Sequence, residues 1–417
     1  MRFSDYPINP ALKETLEKKG FKRPTDIQYK SISHILQGED VLAIAQTGTG
    51  KTAAFVVPTL HTLHEKKLKQ RRPDGVKCLV MVPTRELAKQ IGQVFEELGK
   101  FTKVETFALY GGVEQDPQIQ KLQDGVDILV STPGRMFDLV AQGHLRLHRV
   151  EILILDEADH MLDLGFIKDI RDIITHMPKR QQTLFFSATI DKEIKKLAYS
   201  IVNKPIRIQV SPENLVAKNV EHSLARIKMD DKRFFLETLI KKNEEAKILV
   251  FVRTQVRAER VKKAMTRVEI ESECIHGGME QDERILVLDK FKSGELKLLI
   301  ATDVSARGID IPDVNLVVNY DVPDKAENYV HRVGRTGRGK ARGRAVTFCD
   351  KSELVLLEEI NEYIGGQIPE EEITGLEYDQ MVNLSEETHG DWKTLLKKNE
   401  VEEKMIDAKR KKRRKKR

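Results

Sequence analysis

The sequence predicts an α/β protein of two tandem units, each a mainly parallel sheet between helix layers, with a basic C-terminal extension. Three observations carry this expectation. The length of 417 residues exceeds what one ordinary core organises and suits two domains of typical size plus extensions. Apolar runs of strand length recur between helical patterns, and they are continuous instead of alternating, as in strands covered on both faces. The series then begins again in the second half of the chain.

In order, the runs of the first half are Val41-Leu42-Ala43-Ile44, Cys78 to Val82, Ile128-Leu129-Val130, Ile152 to Leu155 and Thr183 to Phe186. Those of the second half are Ile248 to Val252, Lys297 to Ala301, Leu316 to Asn319 and Ala345 to Phe348. Between the two series, Val210 to Lys218 holds Pro212 and few apolar anchors, which suits a linker. The expected organisation is a first domain over 1–211, a linker over 212–218, a second domain over 219–365, and a charged extension over 366–417 without a core of its own.

A composition of 40% hydrophobic and 33% charged residues describes a water-soluble globular chain. No apolar stretch approaches the roughly 18 residues of a membrane span, and Met1-Arg2-Phe3-Ser4-Asp5 lacks the order of a secretory signal. A cytoplasmic location is expected. Cys78, Cys274 and Cys349 are far apart and lack the paired spacing of zinc or redox motifs, so they are expected to be reduced, mostly buried thiols. The net charge of +6 is unevenly placed: residues 401–417 carry ten Lys or Arg against three acids, or +7, which leaves −1 for residues 1–400. A body that close to neutrality binds a polyanion only through placed contacts, whereas the run Lys409 to Arg417 attracts phosphates without sequence preference or simply keeps the end soluble.

Ala45-Gln46-Thr47-Gly48-Thr49-Gly50-Lys51-Thr52 follows the first strand and precedes a helical stretch, the context in which a glycine-rich loop cradles phosphates. Lys51 balances charge on the terminal phosphates and the Thr52 hydroxyl can ligate magnesium. Ala45 stands where the strict pattern has glycine. About a hundred residues later a buried strand stops at Asp156-Glu157-Ala158-Asp159. One carboxylate there can join a magnesium shell and the next can sit beside an attacking water, so loop and tetrad together imply nucleoside triphosphate hydrolysis.

Two further segments fit that chemistry. Gly20 to Gln28 places an aromatic, Phe21, and an amide, Gln28, upstream of the loop; a glutamine can meet adenine bidentately while a ring stacks on its face. His331-Arg332-Val333-Gly334-Arg335-Thr336-Gly337-Arg338 spaces arginines at three, able to reach a terminal phosphate or to hold a nucleic-acid backbone. If these arginines reach the triphosphate, hydrolysis requires the two domains to close.

The ordered set of Gly20 to Gln28, Ala45 to Thr52, Pro83-Thr84-Arg85-Glu86-Leu87-Ala88, Gly111-Gly112, Thr132-Pro133-Gly134-Arg135, Asp156 to Asp159, Ser187-Ala188-Thr189, Ala306 to Asp310 and His331 to Arg338 closely resembles the DEAD-box RNA helicases of helicase superfamily 2. The resemblance covers about residues 1–365 and implies two RecA-like domains. It implies ATP as nucleotide, with Phe21 stacking and Gln28 reading the adenine, Lys51 and Thr52 on phosphate and Mg2+, and Asp156 on the metal shell. Glu157 would position or deprotonate the water, Arg335 and Arg338 would be arginine fingers, and Asp310 would lie near the ribose. Asp159, Ser187, Thr189 and His331 would couple the acidic site to domain closure.

For RNA, the resemblance implies backbone contacts from Arg85, Gly112, Thr132 and Arg135 of the first domain and Thr254, Gly277, Arg284 and Thr302 of the second. Contacts of that kind go to phosphates and sugar hydroxyls and predict RNA binding with little base specificity. Several have plain structural readings as well, glycines as turns and Arg284 as a helix surface charge. Arg253 departs from the small or polar residue usual beside Thr254. The short lead and brief basic tail look most like the compact bacterial RhlE-like branch. The implied activity is ATP-dependent, local, non-processive unwinding or remodelling of RNA by a monomeric core. Alternatives are an ATP-gated RNA clamp and a DNA translocase on the same two-domain plan.

Overall fold

The computed structural model describes residues 1–46, 48–69, 75–178, 180, 182–210, 215–217, 219–303, 314–337, 342–378 and 381–382. The first sheet has seven described strands: β1 Val41–Ala45, β2 Cys78–Met81, β3 Thr106–Leu109, β4 Ile128–Ser131, β5 Ile152–Leu155, β6 Gln182–Ser187 and β7 Ile206–Val210. Their spatial order is β3-β4-β2-β5-β6-β1-β7, and every pairing is parallel. The second has six: β8 Val220–Arg226, β9 Ile248–Val252, β10 Glu273–Ile275, β11 Leu298–Thr302, β12 Leu316–Asn319 and β13 Gly343–Cys349. They run β10-β11-β9-β12-β13-β8, again parallel throughout.

Each sheet separates two apolar layers, because successive side chains leave a strand on opposite faces. On β6, Leu184 and Phe186 enter one core with Phe55 and Phe95, while Phe185 enters the other with Met136 and Ile170. On β9, Leu249 and Phe251 point one way and Val250 the other. Interior strands buried at every position, such as β1 and β5, are the ones whose sequence reads as an unbroken apolar run.

The four strands not anticipated from sequence, β3, β7, β8 and β10, are the four sheet edges. An edge is only partly covered, so β7 reads Ile206-Arg207-Ile208-Gln209-Val210 and escapes a search for continuous apolarity.

The second unit also reaches past residue 365, where only a charged extension was expected. Leu224 N–H donates to Pro369 O at 2.8 Å and Leu224 O accepts from Glu371 N at 2.7 Å, so the chain returns along the outer edge of β8. Ile368 is buried, and Ile373 and Tyr378 pack on the core beneath. Of the expected linker 212–218, residues 212–214 and 218 lie outside the described residues, as does the basic run 409–417. The three cysteines are free and buried. No helix among the described residues is long and apolar enough to cross a membrane.

Candidate active site

The candidate residues converge where parallel sheets habitually build sites, at the carboxyl ends of their strands. After β1 the chain turns through Gly48 and Gly50, both left-handed with φ of +81° and +91°, into the helix Lys51–Lys69. A Cβ on Gly50 would stand 2.5 Å from Gln28 Nε2, so only glycine lets the loop pass there. Ala45, where the strict pattern has glycine, is the buried last residue of β1. Thr47 lies outside the described residues. Thr49 Oγ1 donates to Gln46 O at 2.7 Å and pins the loop on itself.

Gln28 has a further role that the sequence reading missed. Its Oε1 accepts from Thr25 N at 2.9 Å and its Nε2 donates to Gly50 O at 3.0 Å. It thus completes a capping box on the helix Asp26–Leu36 and ties that cap to the phosphate loop, leaving one amide proton and one acceptor lone pair. The signal, Thr-x-x-Gln, was present in the sequence. Phe21 is half-buried and meets Phe3 edge-on, ring centres 5.8 Å apart.

Lys51 is 7% exposed and its Nζ has no hydrogen-bond partner. Asp156, at the end of β5, accepts from Glu157 N at 3.0 Å. Burial raises its carboxyl to about 6, against the pull of Lys51. Glu157 adopts a left-handed backbone, φ 52° and ψ 49°, unusual for a non-glycine residue and a local cost typical of functional positions. Burial would raise its carboxyl too, but His160, Lys51 and Arg335 together outweigh that and hold it at about 2. His160, another residue the sequence reading passed over, sits 3.6 Å from Glu157 one helical turn on. Asp159 Oδ2 accepts from Ala188 N, Thr189 N and Thr189 Oγ1 at 3.1–3.2 Å, which clamps the segment after β6. Ser187 is buried beside it, its Oγ without a hydrogen-bond partner.

The second unit completes the ring. His331 and Arg335 project from the helix Ala326–Val333 and the turn after it, with Arg335 Nε donating to His331 O at 3.2 Å. His331 shares a cavity of about 210 Å³ with Asp159 and Thr189 of the first unit. On its rim Lys325 reaches Asp163 across the cleft at 2.5 Å. The helix is fixed from behind by Arg332, 1% exposed, whose guanidinium makes two bonds to Asp303 at 2.6 and 2.7 Å and one to Asp321 O at 2.7 Å. Arg338 and the segment containing Asp310 lie outside the described residues.

The candidate RNA contacts fall into two kinds. Gly112, Thr254 and Gly277 are exposed, and a Cβ on Gly112 would overlap the Arg85 guanidinium. Others are engaged within the protein: Arg135 bonds Gln118 Oε1 at 2.5 Å and Val113 O at 2.9 Å, and Thr254 also caps the helix Gln255–Arg267 through Arg257 N. Thr132 and Thr302 are buried. Across the cleft Arg284 pairs with Glu86 at 2.9 Å, and Gln281 bridges Arg85 and Glu86 at 3.1 and 3.3 Å. Arg253 pairs with the buried Glu353 and the exposed Asp324.

Fold and site define a two-unit phosphate-loop nucleoside triphosphatase whose charged groups come from both sides of a cleft. Residues 25–197 match the DEAD/DEAH box helicase family and residues 231–340 the helicase conserved C-terminal domain. The chain is 41% identical over 376 residues to the ATP-dependent RNA helicase RhlB of Xanthomonas oryzae, covering 89% of this chain and 66% of that protein. With RhlB of Shewanella oneidensis it shares 40% over 371 residues, covering 88% and 84%. Yeast Dbp5 bound to RNA and ADP BeF3 superposes with a TM-score of 0.80 at 29% identity, covering 93% of this chain and all of that one (100%). The chain belongs to the DEAD-box ATP-dependent RNA helicases. Both bacterial relatives carry the RhlB name, so the finer expectation of an RhlE-like branch draws no support from them.

Proposed function

We propose that this enzyme couples ATP hydrolysis to local, non-processive unwinding or remodelling of RNA, by closing two domains around both ligands. The reading rests chiefly on one observation: a buried, unpartnered Lys51 amine beside the buried Asp156 and the largely covered Glu157, with Arg335 of the other unit near enough for its charge to act on Glu157. A cation of that kind awaits phosphate oxygens. Similarity to Dbp5 in its RNA and ADP BeF3 complex over 93% of the chain supports a closed arrangement of the units. The division into 1–211, 212–218 and 219–365 follows, with the second domain extended to about residue 382 by the return along β8.

In this reading Phe21 and Gln28 hold adenine, Asp310 the ribose, and Gln46 to Thr52 the phosphates. A magnesium ion fits the donor set, since a buried carboxylate raised to about 6 is one that a cation would keep ionised. Thr52 and Asp156 would hold it, and when bound it would neutralise charge on the phosphates. Glu157 orients the water, while Arg335 and Arg338 stabilise charge that develops on transfer. Asp159, by clamping Ala188 and Thr189 and facing His331, couples this chemistry to closure. RNA lies along Arg85, Gly112, Thr254 and Gly277, with Thr132, Arg135, Arg284 and Thr302 supporting, in the cytoplasm.

Closure links the two binding free energies, so RNA should raise ATP turnover and ATP should tighten RNA binding. ATP hydrolysis measured without nucleic acid, with single-stranded RNA and with DNA of the same sequence is the test. Stimulation by RNA well above DNA is expected; equal rates in all three would exclude the coupled mechanism.

The Lys325–Asp163 link is part of the closed state. Its side chains are 57% and 27% exposed, so it is screened by salt and contributes about 0.2–1 kcal/mol. Asp163→Asn and Lys325→Gln should each raise the RNA concentration for half-maximal ATPase by about two- to threefold at low salt. The exchanged pair, Asp163→Lys with Lys325→Asp, should recover most of it. A loss in the singles that persists at high salt would show that the effect is not this ion pair.

A further inference from the structure

We propose that Glu259, His276 and the Gly278 amide form a hydrogen-bond relay that fixes the turn at Gly277, which makes His276 a positioning residue for the second unit's grip on RNA. The proposal rests on the reading above that Thr254 and Gly277 face RNA.

Cys274 and His276 lie on and just after edge strand β10, and Glu259 lies on the neighbouring helix Gln255–Arg267. Their ligand atoms come within 4.8 Å of one another, the composition of a soft-metal site. The hydrogen bonds point elsewhere. Gly278 N–H donates to His276 Nδ1 at 3.2 Å, so Nδ1 carries no proton and the ring's N–H is on Nε2. Nε2 in turn lies 3.1 Å from Glu259 Oε1, where it donates. A metal on Nε2 would need the proton moved to Nδ1, directly opposite another N–H donor, the reverse of the acceptor that a ligating histidine usually has behind it. The thiol is also unsuited: Cys274 Sγ donates to the same Glu259 oxygen at 3.4 Å, and burial with that carboxylate pushes it up to about 12.

The wiring therefore runs from carboxylate to imidazole to backbone. Glu259 fixes the tautomer, and the tautomer presents an acceptor to Gly278. The turn it holds is closely packed on its other side, since a Cβ on Gly278 would stand 2.8 Å from Gln255 Oε1. Gln255 directly follows Thr254, the helix cap. Thr254 and Gly277, both exposed, are thus set relative to each other through Gln255 and the His276 ring, which is only 10% exposed.

Asparagine and glutamine separate the two ring nitrogens. His276→Asn keeps an acceptor near the Nδ1 position; His276→Gln places its amide near Nε2 and leaves the Gly278 N–H unanswered. In the full-length protein, His276→Gln should raise the RNA concentration for half-maximal ATPase by about tenfold, with KM for ATP unmoved, and His276→Asn should stay within about twofold of the parent. Amide exchange at Gly278 should accelerate in His276→Gln and not in His276→Asn, an observation that needs no RNA. Equal behaviour of the two variants in exchange would overturn the relay. So would stoichiometric Cd2+ binding with thiolate absorption that Cys274→Ser abolishes, since the triad would then be a metal centre. A parent protein unstimulated by RNA would instead remove the functional reading, while exchange would still decide the relay.

Discussion

Glu157→Gln should lower RNA-stimulated ATP turnover by about 10²- to 10³-fold while leaving ATP and RNA binding within about twofold. The substitution is nearly isosteric, and glutamine accepts the same left-handed backbone at the same cost, so the fold should not register it. What it removes is a charge that the site works to keep. Burial alone would push the Glu157 carboxyl up, yet His160, Lys51 and Arg335 hold it at about 2. A carboxylate kept ionised in this way accepts charge-assisted hydrogen bonds and can orient a water molecule; its glutamine replacement cannot supply that charge. Single-turnover hydrolysis, with nucleotide and RNA affinities measured separately, checks this. Turnover within tenfold of the parent would take Glu157 out of the chemistry.

Glu353→Ala should destabilise the second unit by about 3–5 kcal/mol, the usual cost of leaving a buried charge without its partner. Lys232 is 0% exposed, and its Nζ donates to Glu353 Oε2 at 2.6 Å and to Tyr320 O at 2.8 Å. Burial already pulls the Lys232 ammonium below its ordinary range, and Glu353 is the partner that opposes this most. The same carboxylate also accepts from Arg253, Val322 N and Asp350 N. Its loss would strand several donors at the end of β12, where Asp321 O supports Arg332. Replacing both charges, Lys232→Met with Glu353→Leu, should recover only the part owed to the stranded ammonium, because Arg253, Val322 N–H and Asp350 N–H still lose their acceptor. Urea unfolding followed by a probe in the second unit distinguishes these outcomes; a loss below about 1 kcal/mol in Glu353→Ala would mean that water or another acid takes over.

Interior strands and the phosphate loop were legible because their constraints are local. A strand covered on both faces must be apolar throughout, and a backbone that passes within 2.5 Å of Gln28 must be glycine. The edges were not legible, because half-covered strands such as β7 and β8 mix apolar and charged residues. Long-range pairings were equally hidden. Lys232 meets Glu353 across 121 residues, and Arg332 meets Asp303 across 29, with nothing in either local pattern to mark them. Helix phase then separates neighbours of like chemistry: Arg332 is spent inside the second unit, whereas Arg335, three residues on, acts on the acid of the first.

The sequence by itself determined the two parallel sheets, the glycine-rich loop and the acids at the end of β5, since each follows from what a few adjacent residues can bury or bond. Only the tertiary structure decided which charge meets which. It set Lys51 between unpaired burial and two carboxylates, made Gln28 a tie between helix cap and loop, and brought Arg335, His331 and Lys325 to a site whose acids lie over 160 residues away. Charges act through space at a strength fixed by burial, and neither distance nor burial is written in the order of residues.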